Sequence, residues 1–186
     1  MKKILLVMFL AASIVTTHGQ EKIKFQSMLQ AGLLEGELGS SLQLHTVNGI
    51  RFKTWSAGVG AGLDYYHTRS IPVFLDLRKR ILRNPQSPFL YAGGGYHFPW
   101  EKKQTDQQWG YYYDRNTSGG LYYDAGIGYQ LPVKNSMLYF TAGYTYKRFS
   151  QEVPQPVMCI TWPCPEVMQT FDYQVRRLSV KTGLRF

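Results

Sequence analysis

The chain has 186 residues, a formal net charge of +9, 44% hydrophobic and 15% aromatic content, and two cysteines. That length suits one domain of ordinary size, and two cysteines supply too few ligands for a zinc framework. The densest basic run, RKRILR at Arg78–Arg83, is a poor basis for a nucleic-acid partner, because the first residues read as an export signal and a partner of that kind is then not expected.

That segment, MKKILLVMFLAASIVTTHG, has two lysines, an unbroken apolar run from Ile4 to Ala12, then small and polar residues. This is the layout of a secretory signal peptide, with cleavage expected after Gly19. The run falls short of the roughly 20 apolar residues that a spanning helix needs. Residues 1–19 are therefore expected to leave a mature domain of residues 20–186. Loss of Lys2 and Lys3 takes the net charge from +9 to +7.

Beyond the signal, apolar residues recur with period two, the mark of strands with two unlike faces. Strands are expected near 24–34 and 39–47, then a turn at Asn48-Gly49 and a strand at 50–66. A fourth follows at 71–80, a turn at Asn84–Ser87, and a fifth at 88–98 (containing YAGGGYHF). After a long connection at 99–118 comes 119–131, where Leu121, Tyr123, Ala125, Ile127 and Tyr129 oppose Tyr122, Asp124, Gly126, Gly128 and Gln130. A turn at 132–136 leads to 137–150, a second long connection spans 151–171, and 172–186 closes the chain. Short connections on one side and long ones on the other follow the plan of a transmembrane barrel. The fold expected is all-β, an eight-stranded antiparallel up-and-down transmembrane β-barrel. Aromatics near strand ends (Tyr65, Tyr66, Tyr96, Phe98, Trp100, Tyr129, Tyr144, Tyr146 and Phe149) suit an interfacial girdle. A secreted soluble ligand-binding barrel also alternates, with its apolar face inward.

The polar face collects Asp64, Asp76, Arg78, Asp124, Lys147, Arg177, Lys181 and Arg185. Arg or Lys facing lipid near the midplane would cost roughly 2–4 kcal/mol each, so these are expected inside as a lumen charge network. Eight strands enclose little more than side chains, which argues against a general diffusion porin. The glycines fit the same picture. A tight turn at 84–87 sets Phe74 opposite Gly95 and Asp76 opposite Gly93, and a turn near 133–134 brings Asp124 to Gly143. Neither GxxxxGK[ST] nor GxGxxG is present to make a phosphate loop, and no cofactor or metal site is expected.

The AG-aromatic strand centres YAGGGYHF, YDAGIGYQ and TAGYTYKRF and the terminal LSVKTGLRF resemble small outer-membrane β-barrel proteins, most of all Bacteroidota-type barrels of unassigned role. The likeness covers residues 20–186. It implies the outer membrane of a Gram-negative cell, contact with outer-membrane lipid or lipopolysaccharide, and insertion by the barrel-assembly machinery through Phe186 and Leu184. The upstream glycine of that assembly signal would fall at Val180, where the match breaks. Lys102, Lys103, Arg115 and Arg148 are expected to meet lipopolysaccharide phosphates.

Cys159 and Cys164, in VPQPVMCITWPCPE, read in an exported chain as a local disulfide. The closed ring would present Trp162 as a candidate contact for a protein partner at the outer loops. The reading is a non-enzymatic barrel with a filled lumen, its structural or surface-recognition role carried by outer loops 99–118 and 151–171. The alternative is an outer-membrane lipid-modifying hydrolase or acyltransferase, for which His67, Asp64 and Ser70 are the nearest serine–histidine–acid set; His45 and His97 are expected as lumen or rim residues.

Overall fold

Where every second residue is apolar, an extended backbone puts one residue type on each side, and only pairing with neighbours satisfies the backbone polar groups. In the computed structural model, which describes residues 23–37, 39–100, 105–108, 111–114, 116–155 and 167–186, this pairing closes on itself. The strands are β1 (Lys24–Gly36), β2 (Gly39–Phe52), β3 (Trp55–Asp64), β4 (Ser70–Arg80), β5 (Ser87–Pro99), β6 (Thr105–Gln108), β7 (Tyr111–Asp114), β8 (Asn116–Ser118), β9 (Gly120–Val133), β10 (Ser136–Gln155) and β11 (Val167–Arg185). Eight of them, β1 to β5 and β9 to β11, form the wall: each pairs antiparallel with the next, and β11 pairs back onto β1. The signal segment of residues 1–19 lies outside the described residues.

The turns correct the expected boundaries. Asn48-Gly49 is not a turn: both residues lie inside β2, with Asn48 opposite Val59 and Gly49 opposite Gly58. The chain reverses instead at Lys53-Thr54, where Lys53 takes a left-handed φ of 53°. An Asn-Gly pair is a strong local turn signal. Here the cross-strand pairing of Ile50 and Phe52 with Ala57 and Trp55 overrides it. Lys134, with φ 50°, occupies the same kind of position between β9 and β10. That turn lies one residue beyond the expected centre, so Asp124 pairs with Thr145 and Gly143 with Gly126. Across β4–β5, Phe74 faces Gly95 and Asp76 faces Gly93.

The described parts of the long connections carry strand pairing of their own. β10 and β11 stay paired out to Gln155–Val167, β6 pairs with β7, and β8 joins the edge of β10 at Ser150–Glu152. The barrel therefore has a short-turn end, at Lys53-Thr54, residues 81–86 and Lys134-Asn135, and a loop end from which the β10–β11 ribbon projects.

Inside, Met28, Val47, Phe74, Phe89, Tyr91, Tyr122 and Tyr139 form one buried cluster, and Leu34, Tyr66, Phe149 and Val175 form a second. Tyr66 and Phe149, expected in the girdle, belong to this interior. Outside, Leu29, Val59, Leu75, Leu90, Ile127, Phe140, Leu178 and Val180 form an exposed apolar band. Exposed aromatics flank it: Phe25, Phe52, Trp55 and Phe186 at the short-turn end, and Tyr65, Tyr96, Phe98 and Trp100 at the loop end.

Glycine lets bulky inward side chains share a narrow lumen. A Cβ at Gly60 would lie 2.5 Å from Cε2 and Cζ of Phe74, whereas one at outward Gly94 would meet nothing within 4 Å. Gly60→Ala is therefore expected to destabilise the barrel by about 1–3 kcal/mol through overpacking, and Gly94→Ala by no more than about 0.5 kcal/mol. Urea unfolding of the two refolded variants measures the difference, and equal losses would contradict the packing role.

Candidate functional site: an ionic lumen with unlike ends

Inward positions of β3, β4 and β9 carry three carboxylates, and each is met by a cation or a hydroxyl from across the lumen or along its own strand. Nearest the loop end, Asp64 accepts from Arg177 Nη1 at 2.6 Å and from the Tyr66 backbone N–H at 2.9 Å, with Lys147 Nζ 3.7 Å away. All of these side chains are buried. Lys147 also donates to the carbonyls of Tyr66 (3.1 Å) and Thr68 (2.9 Å) and to Ser70 Oγ (3.2 Å). One ammonium thus draws the β3–β4 connection into the barrel mouth, where Tyr66 and Thr68 are buried. The left-handed backbone at His67, φ 59°, makes that inward fold. Above Tyr66, Arg177 lies 5.2 Å from the ring centroid.

Deeper in, Asp76 and Arg78 sit two apart on β4 and so share its inward face. Arg78 reaches the carboxylate with both Nε (2.8 Å) and Nη2 (3.3 Å), the two-pronged geometry that suits guanidinium. Its guanidinium also lies over Tyr139 (5.0 Å) and Phe89 (5.7 Å). Asp124 pairs with Lys181 and accepts from Tyr91 Oη at 3.0 Å. The structure thus brings seven of the eight charged residues singled out in the sequence into three carboxylate-centred groups. Arg185 stands apart. It donates to Gln130 Oε1 at 3.2 Å and sits at the short-turn end.

Several lumen residues are not singled out as site residues by the sequence. Tyr91, Tyr122, Tyr139, Gln30 and Gln43 carry much of the polar filling, and strand parity alone marks them as inward. Gln30 lies between Arg78 and Tyr139 (3.4 and 3.3 Å), and Gln43 between His45 and Tyr122 (2.7 and 3.0 Å). The buried His97 bonds the Arg148 carbonyl at 2.8 Å.

These contacts bear on chemistry. A serine–histidine–acid relay needs an acid that orients the histidine and a hydroxyl that the histidine can deprotonate. Asp64 is committed to Arg177 and Lys147, and Ser70 to Lys147. The His67 ring packs against Phe149 and Tyr173, with centroids 5.7 and 6.0 Å apart. Among the described residues, no three His, Cys, Asp or Glu side chains cluster as a metal site would require.

Of the remaining residues, Phe186 and Leu184 face outward. Phe186 exchanges backbone hydrogen bonds with Ser27 (2.9 and 3.2 Å) at the closing seam. Arg148 pairs with Asp172 at 3.3 Å, both more than half exposed. Cys159, Trp162, Cys164, Lys102, Lys103 and Arg115 lie outside the described residues.

Fold and lumen define the class: an all-β, closed, eight-stranded antiparallel barrel filled by side chains. In fold it is similar to the outer membrane protein OprG from Pseudomonas aeruginosa, at a TM-score of 0.58 and 9% identity over 87% of this chain and 95% of that one. Neisserial surface protein A aligns at 0.48 and 18% identity over 89% and 98% of the two chains. A major outer membrane protein from Thermus thermophilus aligns at 0.49 and 14% over 87% and 99%. No family model matches the chain, and no curated protein matches it in sequence.

Removing one partner of a buried pair strands the other charge, at a cost of about 3–5 kcal/mol. Asp64→Asn should therefore destabilise the barrel by that amount, since it leaves Arg177 and Lys147 together without their carboxylate. Asp172→Asn, at an exposed pair, should cost at most about 1 kcal/mol. Unfolding of both variants in urea tests the contrast, and a small loss at Asp64 would show that the pairs do not hold the lumen.

Proposed function

We propose that the protein is an outer-membrane barrel with a filled lumen, serving as a scaffold whose loop end carries recognition, and neither a pore nor an enzyme. One observation carries this reading. The outward residues form an apolar band between two aromatic sets, while Asp64, Asp76, Arg78, Asp124, Lys147, Arg177 and Lys181 face a packed interior. Water would not favour such a band, and hydrocarbon would. A soluble ligand-binding barrel would need the opposite arrangement, an apolar lumen, and this lumen holds three carboxylates and their cations.

The wall strands, of 10 to 20 residues, match or exceed the roughly 9–11 that a tilted strand needs to cross a bilayer. Their surplus at the loop end supports an outward-projecting ribbon. On this reading the segments 99–118 and 151–171 face the cell exterior, meet lipopolysaccharide and present any partner-binding surface, including Trp162 and a Cys159–Cys164 staple. Phe186 and Leu184 serve the barrel-assembly machinery, and residues 1–19 are the export signal. Engagement of Asp64 and Ser70 by Lys147 and Arg177 supports a non-enzymatic role over lipid modification.

Cell fractionation combined with gel mobility of boiled and unboiled protein tests the reading. Recovery with the outer membrane and a heat-dependent mobility shift are expected. Recovery as a soluble protein without detergent would overturn it.

A further inference from the structure

The short-turn end contrasts with the plugged loop end. A cup of about 380 Å³ opens there, lined by Lys24, Arg51, Lys53, Arg80, Arg83 and Arg185, with Gln130, Pro85 and Met137 completing its wall. Six cations from four strand ends and two turns converge on it, and no acidic residue is in the lining. A ring of lysines and arginines at a rim is ordinarily just solvated, so the number of charges decides little.

The state of two guanidiniums decides more. Arg80 and Arg185 are half-buried in the cup wall. Arg80 Nε and Arg185 Nη2 meet no acceptor among the described residues but are covered by neighbouring atoms, so a ligand in the cup reaches them as the side chains turn toward it. Buried N–H groups of a charged side chain are costly to leave unpaired. One further nitrogen of each is bonded: Arg80 Nη2 donates to the Lys53 carbonyl, and Arg185 Nη1 to Gln130 Oε1, itself held by Gln130 Nε2 on the Pro85 carbonyl at 2.8 Å. Each fork is thus tethered at one point to the wall or a turn, with donors still to satisfy.

We propose that this cup is a binding site for a phosphate group, gripped by Arg80 and Arg185 with Lys24, Arg51, Lys53 and Arg83 supplying the surrounding field. Guanidinium forks match phosphate oxygens two at a time, and a doubly charged anion offsets the repulsion of like charges held together. The phosphate belongs either to a soluble phosphorylated compound or to the headgroup of a membrane lipid, whose leaflet meets the rim of the cup at Phe52, Trp55 and Phe186.

The test is a ³¹P NMR titration of the full barrel, refolded in a non-ionic detergent, with pyrophosphate. A second arm uses short-chain dihexanoyl phosphatidylglycerol. Wild type should bind at least one probe, and the Arg80→Gln/Arg185→Gln double variant should bind it at least tenfold more weakly. Arg69→Gln, at an exposed loop-end position, should bind as wild type does. Arg185→Lys, which keeps charge but loses the fork, should fall between. Heat-dependent gel mobility verifies that each variant is folded; the double variant relieves crowding and should remain so. Binding of pyrophosphate alone assigns a soluble phosphate, and binding of the lipid assigns a headgroup; both support the site. No binding of either probe to wild type, or affinities within twofold between wild type and the double variant, would overturn it.

Discussion

Everything in this molecule depends on one seam. β11 pairs with β1 from Arg185 opposite Met28 to Arg177 opposite Gly36, and Phe186 with Ser27 extends it at the short-turn end. Without that pairing the sheet would have two open edges, each a row of unsatisfied backbone donors and acceptors that no bilayer tolerates. Once it closes, inside and outside are defined for every residue by parity alone. The charged residues on inward positions then have no water to turn to. They must pair with one another, and they do so through the three carboxylate-centred groups.

The charge balance of the lumen explains why its two ends differ. Asp64, Asp76 and Asp124 face Arg78, Lys147, Arg177 and Lys181, a small cationic surplus. At the loop end the surplus is absorbed by backbone: the Lys147 ammonium gathers the carbonyls of Tyr66 and Thr68, and the apolar cluster of Leu34, Tyr66, Phe149 and Val175 seals what remains. At the short-turn end no such loop folds inward. Arg185 finds an amide oxygen instead of a carboxylate, and Arg80 a carbonyl, so positive charge accumulates around an open cup. Among the described residues, side chains fill the barrel at the loop end, and charge is unbalanced at the other.

Much of this is legible in the sequence, and unevenly so. Strand number, connectivity and the face on which each charge lies follow from period two, because register errors of two residues leave parity intact. That is why Asp124 can be misplaced against Gly143 and still be correctly put inside. Turn positions are less legible. Asn48-Gly49 carries the strongest local turn signal in its region, yet Gly49 lies opposite Gly58 in a continuous strand pair, and the reversal falls to Lys53, a residue with no special turn preference. Tyr66 and Phe149 read as girdle aromatics from their nearness to strand ends. An inward-folding loop with no periodic signature makes Tyr66 core, whereas Phe149 shares the inward parity of Thr145 and Lys147 on β10, so there the strand-end signal misleads and the period is right. The basic cup is invisible for a related reason: its six cations are scattered from residue 24 to residue 185 and meet only when the ends of the strands do.

Which face of the wall meets lipid decides between a membrane barrel and a soluble one. Spin labels placed one at a time along β10, in a background with both cysteines replaced and the barrel reconstituted in vesicles, address it directly. Labels at Leu138, Phe140 and Ala142 should be relaxed by dissolved oxygen and shielded from a water-soluble nickel complex, while labels at Thr141 and Thr145 should be shielded from both. Free access of the nickel complex to the outward positions would contradict the membrane barrel, and free access to the inward ones would contradict the filled lumen.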